Sequence, residues 1–289
     1  MIHPDKLLLS QGDTSNLGAT VYCHTVQEDF ELPADAYLEG PFSSRGKTLT
    51  ARYTFQQAAP PASGPVWQAY IPEPVMWTPR MPAYYELRGI PGVEKRIGLR
   101  ELSIRKESFY REQQRWVARA AFSSLKKTHD EMDQWRESDL VPILTPEFIA
   151  FRDHSLKQGL PLIVDGTEGY SLDEYSRGSS HASIAMLLLS PAETVSFVRF
   201  PLPTSGLLVG TKISEPIEIP DHVHFVAVSE SLIRKGWQPN RRLPIVATRE
   251  CDVQNHSPAE LRAQCDQFQA DLDNGAEYAG LWLLPKASS

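Results

Sequence analysis

Eight short apolar runs in the second half of the chain constrain its fold more than any other feature. They are Val117–Phe122, Leu140–Leu144, Leu160–Val164, Ser183–Leu189, Gly206–Gly210, His224–Val228, Leu243–Ala247 and Tyr278–Leu284. Short unbroken apolar runs suit strands covered on both faces, and parallel sheets are the sheets covered that way. Polar stretches with helical punctuation separate several of them. Pro146–Gln158 stops at Gly159, a residue suited to a helix C-terminus. Ser257-Pro258-Ala259-Glu260 opens another helix that runs to about Leu272, with Ser257 as N-cap, Pro258 first in the helix and Glu260 closing a capping box.

Eight candidate strands with intervening helices make the pattern of an α/β protein of the (β/α)8 TIM-barrel type. The region 109–289 is shorter than the roughly 200 residues at the lower end of that fold. Connections such as Pro201 to Gly206 leave no room for a full helix. The expectation is a compact, incomplete TIM barrel, with an open sheet as the alternative.

The first half follows a different pattern. Ala19–Val26, Thr48–Phe55 and Val66–Ile71 are rich in β-branched and aromatic residues, and Gly- and Pro-containing segments separate them. Short strands with no helical pattern between them predict a β-sandwich. The chain is therefore expected to divide into a sandwich domain at 1–108 and a barrel domain at 109–289.

The bulk numbers exclude several functions. A net charge of −7 argues against binding nucleic acid or an anionic membrane surface. No apolar run approaches the ~18 residues of a membrane span, and Leu7-Leu8-Leu9 is too short for the core of a signal peptide. Cys23, Cys251 and Cys265 are odd in number and lack CxxC spacing. A disulfide framework is not expected, and a reducing, cytoplasmic location fits. Neither a nucleophile elbow nor a metalloprotease, P-loop or dinucleotide motif occurs. His222 and His224 would share one strand face, but no third ligand is visible. No metal or cofactor is expected.

Pro74-Val-Met-Trp-Thr-Pro-Arg-Met-Pro-Ala-Tyr-Tyr-Glu-Leu87 is the most specific motif in the chain. It resembles the Trp-Ser/Thr-Pro-x-x-Pro-x-Leu-Tyr signature that closes the immunoglobulin-like domain of family 2 glycoside hydrolases, the β-galactosidase and β-mannosidase group. Lys95–Leu102 is similar to the family's next strand, Tyr110–Arg119 to the segment that enters its barrel, and Ser180–Met186 to its fourth barrel strand. The resemblance implies an immunoglobulin-like β-sandwich followed by a TIM barrel, with a carbohydrate ligand at the barrel mouth. Taken as residues, Trp77 reads as a buried aromatic anchor, and Arg100 and Arg119 as ion-pair formers at the domain junction.

Retaining glycosidases hold two carboxyl groups about 5–5.5 Å apart, one a proton donor and the other a nucleophile. In the family these are glutamates at the ends of barrel strands four and seven. Here strand four continues Leu187-Leu-Leu-Ser-Pro-Ala-Glu193, so Ala192 takes the acid's position and Glu193 comes one residue late. Strand seven reads Pro244-Ile-Val-Ala-Thr-Arg-Glu250, so Arg249 takes the nucleophile's position and Glu250 is late in the same way. One step along a strand turns a side chain to the other face, and only a local bulge would bring either carboxylate back. A catalytically degenerate, glycoside-hydrolase-like protein is the leading expectation, with Asp165, His181, Arg249 and Trp282 as candidate sugar contacts. The alternatives are an active retaining β-glycosidase, with Glu193 or Glu250 restored by bulges or with replacement acids such as Asp165, and a non-catalytic interaction module. His181 reads equally well as a hydrogen-bonded structural histidine.

Overall fold

A computed structural model describes residues 7–25, 27, 30–58, 66–123, 129–146, 152–168, 181–197, 206–272 and 276–286. The first part is two antiparallel sheets packed face to face. One has the order β1 (Leu7–Ser15), β2 (Gly18–Thr25), β6 (Val66–Pro72), β5 (Gln56–Gln57), and the other β4 (Ala51–Thr54), β3 (Tyr37–Ser43), β7 (Ala83–Arg88), β8 (Lys95–Ile97). The period of two that marks a half-buried strand is plain in β7, where Ala83, Tyr85 and Leu87 are buried and the residues between them are not. Leu7, Leu9, Val21, Cys23, Leu38, Ile71, Tyr85 and Ile97 meet between the sheets as one core.

A small sheet follows, of β9 (Leu102–Arg105), β10 (Ser108–Arg111) and β11 (Gln114–Trp116). The expected break after residue 108 falls on β10. Phe109 and Trp116 of this sheet pack into the inner core of the barrel.

Eight parallel strands then close into a barrel. They are β12 (Ala118–Phe122), β13 (Val141–Leu144), β14 (Leu162–Asp165), β15 (Ile184–Leu189), β16 (Leu208–Ile213), β17 (Phe225–Ser229), β18 (Ile245–Cys251) and β19 (Gly280–Pro285). Each contains part of one of the apolar runs, and the open-sheet alternative is not adopted. Alternate residues separate into an inner core, with Ala120, Ile143, Ile163, Leu188, Ala227, Val246 and Trp282, and an outer core, with Leu144, Leu162, Val228, Ala247, Leu281 and Leu283. The interior is filled. The Phe225 ring stands edge-on to Phe109 at 5.5 Å and to Trp282 at 5.6 Å. Gly210 makes room for it, since a Cβ there would lie 2.2 Å from the ring.

The described helices are α1 (His129–Glu137), α2 (Arg152–Gln158), α3 (Pro191–Phe197), α4 (Glu230–Arg234) and α5 (Pro258–Asp271). Residues 214–224 join β16 to β17 without one. The expected helix 146–158 is seen as α2; residues 147–151, like most of the short connection at 201–206, lie outside the described residues.

Buried polar contacts fasten the sandwich to the barrel. Arg100 is 4% exposed, and its Nη1 donates to the carbonyls of His181, at 2.7 Å, and of Ile184. Gln11 brackets the Arg100 backbone, donating to its carbonyl at 2.9 Å and accepting from its N–H at 3.0 Å. The Trp77 indole donates to Leu156 O at 2.9 Å. Arg100 thus works at the junction, as expected, through bonds to backbone carbonyls. Arg119 pairs with Asp266 of α5 at 2.8 Å on the barrel's outer face.

Candidate functional site

The carboxyl ends of parallel barrel strands, and the loops after them, are where such a fold builds a site. Lateral pairing identifies which side chains face the axis, because paired residues on neighbouring strands point the same way. Asp165 pairs with Leu188, Lys212 with Ala227, Thr248 with Trp282 and Glu250 with Leu284. All four partners belong to the inner core. Asp165, Lys212, Thr248 and Glu250 therefore line the mouth from the alternate strands β14, β16 and β18. Thr248 is buried, Asp165 and Lys212 are half-buried, and Glu250 is exposed.

The Asp165 Oδ1 accepts from the Thr167 N–H at 3.1 Å and from its hydroxyl at 2.7 Å, which fixes the loop that leaves β14. The mouth thus carries two acceptors and one ammonium donor above an apolar floor. A polyhydroxylated ligand needs such an arrangement, since each hydroxyl both donates and accepts.

The structure does not gather the other expected site residues here. Glu193 is the third residue of α3, and its Oε2 accepts from the Ser190 N–H at 3.1 Å and from the Ser190 hydroxyl at 2.8 Å. Its own N–H donates back to Ser190 Oγ at 3.3 Å. This is a capping box. The sequence held its signal, because Ser190-Pro-Ala-Glu193 repeats the tetrapeptide Ser257-Pro-Ala-Glu260, which caps α5 in the same way.

Arg249 faces outward. It pairs laterally with Leu283 of the outer core, and its guanidinium stacks 4.2 Å from the Phe268 ring centroid. It also binds Glu230 at 2.7 Å and Asp271 at 2.8 Å. Hydrogen bonds from Arg249, then from Arg234, hold the Glu230 carboxyl below its usual range. No register shift interrupts β18. Glu250 consequently faces inward without the bulge that sequence alignment required.

His181 precedes β15, at the junction end of the barrel. It is 3% exposed, with Nδ1 2.9 Å from Ser183 Oγ and Nε2 2.8 Å from Asp153 Oδ1. Trp282 is fully buried inside the barrel, and its indole donates to Ala118 O at 3.1 Å. Lys212 and Thr248 escaped the sequence reading. For Lys212 the signal was there: the run that starts at Gly206 keeps its strand alternation through Thr211-Lys212-Ile213.

His222 and His224 precede β17 instead of lying on it. His224 Nδ1 accepts from the Val209 N–H at 2.9 Å, and burial pushes its pKa down. Among the described residues no group of three His, Cys, Asp or Glu is close enough together to hold a metal ion. Burial pushes the Cys23 and Cys265 thiols up to about 12, which makes them unreactive, while Cys251 is partly exposed. No described helix is long and apolar enough to cross a membrane.

No family profile matches the chain, and no curated protein does. Solved structures do. A family 2 glycosyl hydrolase from Bacteroides cellulosilyticus superposes with a TM-score of 0.60 at 12% identity, covering 98% of this chain and 44% of that one. The β-glucuronidase of Bifidobacterium dentium, solved with coumarin-3-O-glucuronide, gives 0.60 at 10% identity, covering 96% and 59%. That of Faecalibacterium prausnitzii gives 0.58 at 10% identity, covering 96% and 58%. The chain spans about half the length of these proteins and shares with them the fold of a sandwich followed by a barrel.

Proposed function

We propose that the barrel mouth binds a carbohydrate and that the chain is a glycoside-hydrolase-like protein without the hydrolytic carboxyl pair. The carrying observation is the fate of the two expected catalytic positions. The late glutamate after strand four, Glu193, caps α3, and Arg249 on strand seven is tied into an outward ion-pair network. The mouth keeps Asp165, Lys212 and Glu250, which are hydrogen-bonding groups for hydroxyls. Their alternating signs suit a ligand of several hydroxyls better than a simple ion.

One observation favours a second reading. Glu250 faces the axis, so one carboxylate stands where a nucleophile could act, and Asp165 is a second inward acid. An active retaining glycosidase would use this pair.

Chromogenic β-galactosides, β-mannosides and β-glucuronides, together with calorimetric titration of the parent sugars, separate the two. The first reading expects no turnover, and sugar binding that weakens in Lys212→Ala and Glu250→Ala. Turnover abolished by Glu250→Ala or Asp165→Ala would establish the second. Neither binding nor turnover with any sugar would remove both.

A further inference from the structure

A cleft lies at the opposite end of the barrel from the mouth. It measures about 640 Å³, within the range of small-ligand sites, and opens where β18 and β19 begin. Its walls come from the segment after α4, from residues 276–278, and from Glu107 in the β9–β10 turn.

The α4 segment is built rather than merely draped there. Gly236, at φ 77°, ends the helix in the left-handed conformation. Its N–H donates to Ile233 O at 2.9 Å, and the Trp237 N–H donates to Leu232 O at 3.3 Å. These two bonds are the Schellman pair, which sends the chain back across the helix end. Trp237 is thereby held half-buried against the outer core, as is Tyr278 on the facing wall. The loop beyond is pinned as well: Asn240 Oδ1 accepts from the Ile219 N–H at 3.3 Å, and the Arg241 guanidinium donates to the carbonyls of Pro220 and Val223.

The lining charges balance. Arg241 and Arg242 line it together with Glu107 and Glu277; Arg242 lies 3.9 Å from Glu107, and Glu277 is paired with Arg115 at 2.8 Å. A balanced cleft selects neither an anion nor a cation. Two part-exposed aromatic side chains offer flat apolar surface, and Gln238, Asn240, Arg242 and the carboxylates offer planar donors and acceptors around it. That combination matches a neutral oligosaccharide, whose sugar rings have apolar faces and hydroxylated edges.

We infer that this cleft is a second, non-catalytic binding site for a neutral oligosaccharide. It is independent of the mouth, and the two fail separately. The test titrates the full chain with cellotetraose, β-1,4-mannotetraose and β-1,4-galactotetraose in turn, read by calorimetry and tryptophan fluorescence. At least one tetraose is expected to bind, about tenfold more weakly in Trp237→Ala, since truncating an aromatic anchor costs at least about 1.4 kcal/mol. Trp237→Phe should recover part of the loss, and in a Lys212→Ala background, which weakens binding at the mouth, the tetraose titration should persist and still depend on Trp237. The Arg242 side chain is 90% exposed, so Arg242→Ala leaves the fold intact and should still weaken binding severalfold. No binding by any tetraose, or binding indifferent to Trp237→Ala and Arg242→Ala, overturns the inference.

Discussion

Ser190 and Glu193 hold each other across the first turn of α3, the serine hydroxyl 2.8 Å from the carboxylate and the glutamate N–H 3.3 Å from the serine oxygen. Glu193 thus caps α3. Glu193→Ala should cost about 1 kcal/mol, the usual worth of a cap, and Glu193→Gln clearly less. Urea unfolding of the three proteins measures this. If Glu193→Ala matched the wild type in stability, the cap would not be the residue's role.

This box also marks where sequence reasoning separated from structure. The barrel strands were legible, because unbroken apolar runs have few other fates in a folded chain. The cap at Ser257 was legible from its spacing. The identical tetrapeptide at Ser190 was instead aligned to a catalytic motif, so a local signal was overridden by a global one. Arg249 and Glu250 face opposite to what the family alignment implied, for another reason. Which of two adjacent residues faces inward depends on strand parity, and parity is set by pairing with β17 and β19, not by the residues themselves. Depth along a barrel is not legible in a sequence, and Trp282, a candidate sugar contact by sequence, lies wholly inside the core.

Arg249 ties β18 to α4 and α5. Its bonds hold Glu230 below the ordinary carboxylate range, so the ionised pair stabilises the fold above that range, and this contribution is lost as pH falls through the lowered value. The pair is partly exposed, which limits it to about 1 kcal/mol. Arg249→Leu should therefore be less stable than wild type by about 1.5–2 kcal/mol at pH 7, the pair together with the stacking on Phe268. The gap should narrow below about pH 4, leaving the stacking on Phe268, worth about 0.5–1 kcal/mol. Denaturant titrations at several pH values check the slope; a gap that widens in acid would contradict it.

Trp282 fills the barrel between Phe225 and the Ala118 carbonyl. Trp282→Ala should cost about 3–5 kcal/mol, as large aromatic truncations in cores do, and Trp282→Phe less. The effect is read in thermal unfolding. The Phe variant should bind sugar at the mouth as wild type does, because the indole does not reach solvent.

Arg100 is the deepest polar tie between sandwich and barrel. Replacing it with Leu leaves the carbonyls of His181 and Ile184 without its Nη1 donor in a buried setting, where each lost partner costs about 1–3 kcal/mol. A loss of about 3 kcal/mol is expected. Because the loss falls on the junction, calorimetry should show a lowered transition that separates into two, with the sandwich and the barrel unfolding apart. Arg119→Leu serves as the control. Its ion pair with Asp266 lies on the outer face, so it should cost no more than about 1 kcal/mol and leave the transition single. Arg100→Leu unfolding in one undiminished transition would mean that the Trp77–Leu156 bond and the packing around Gly159 suffice to join the two parts.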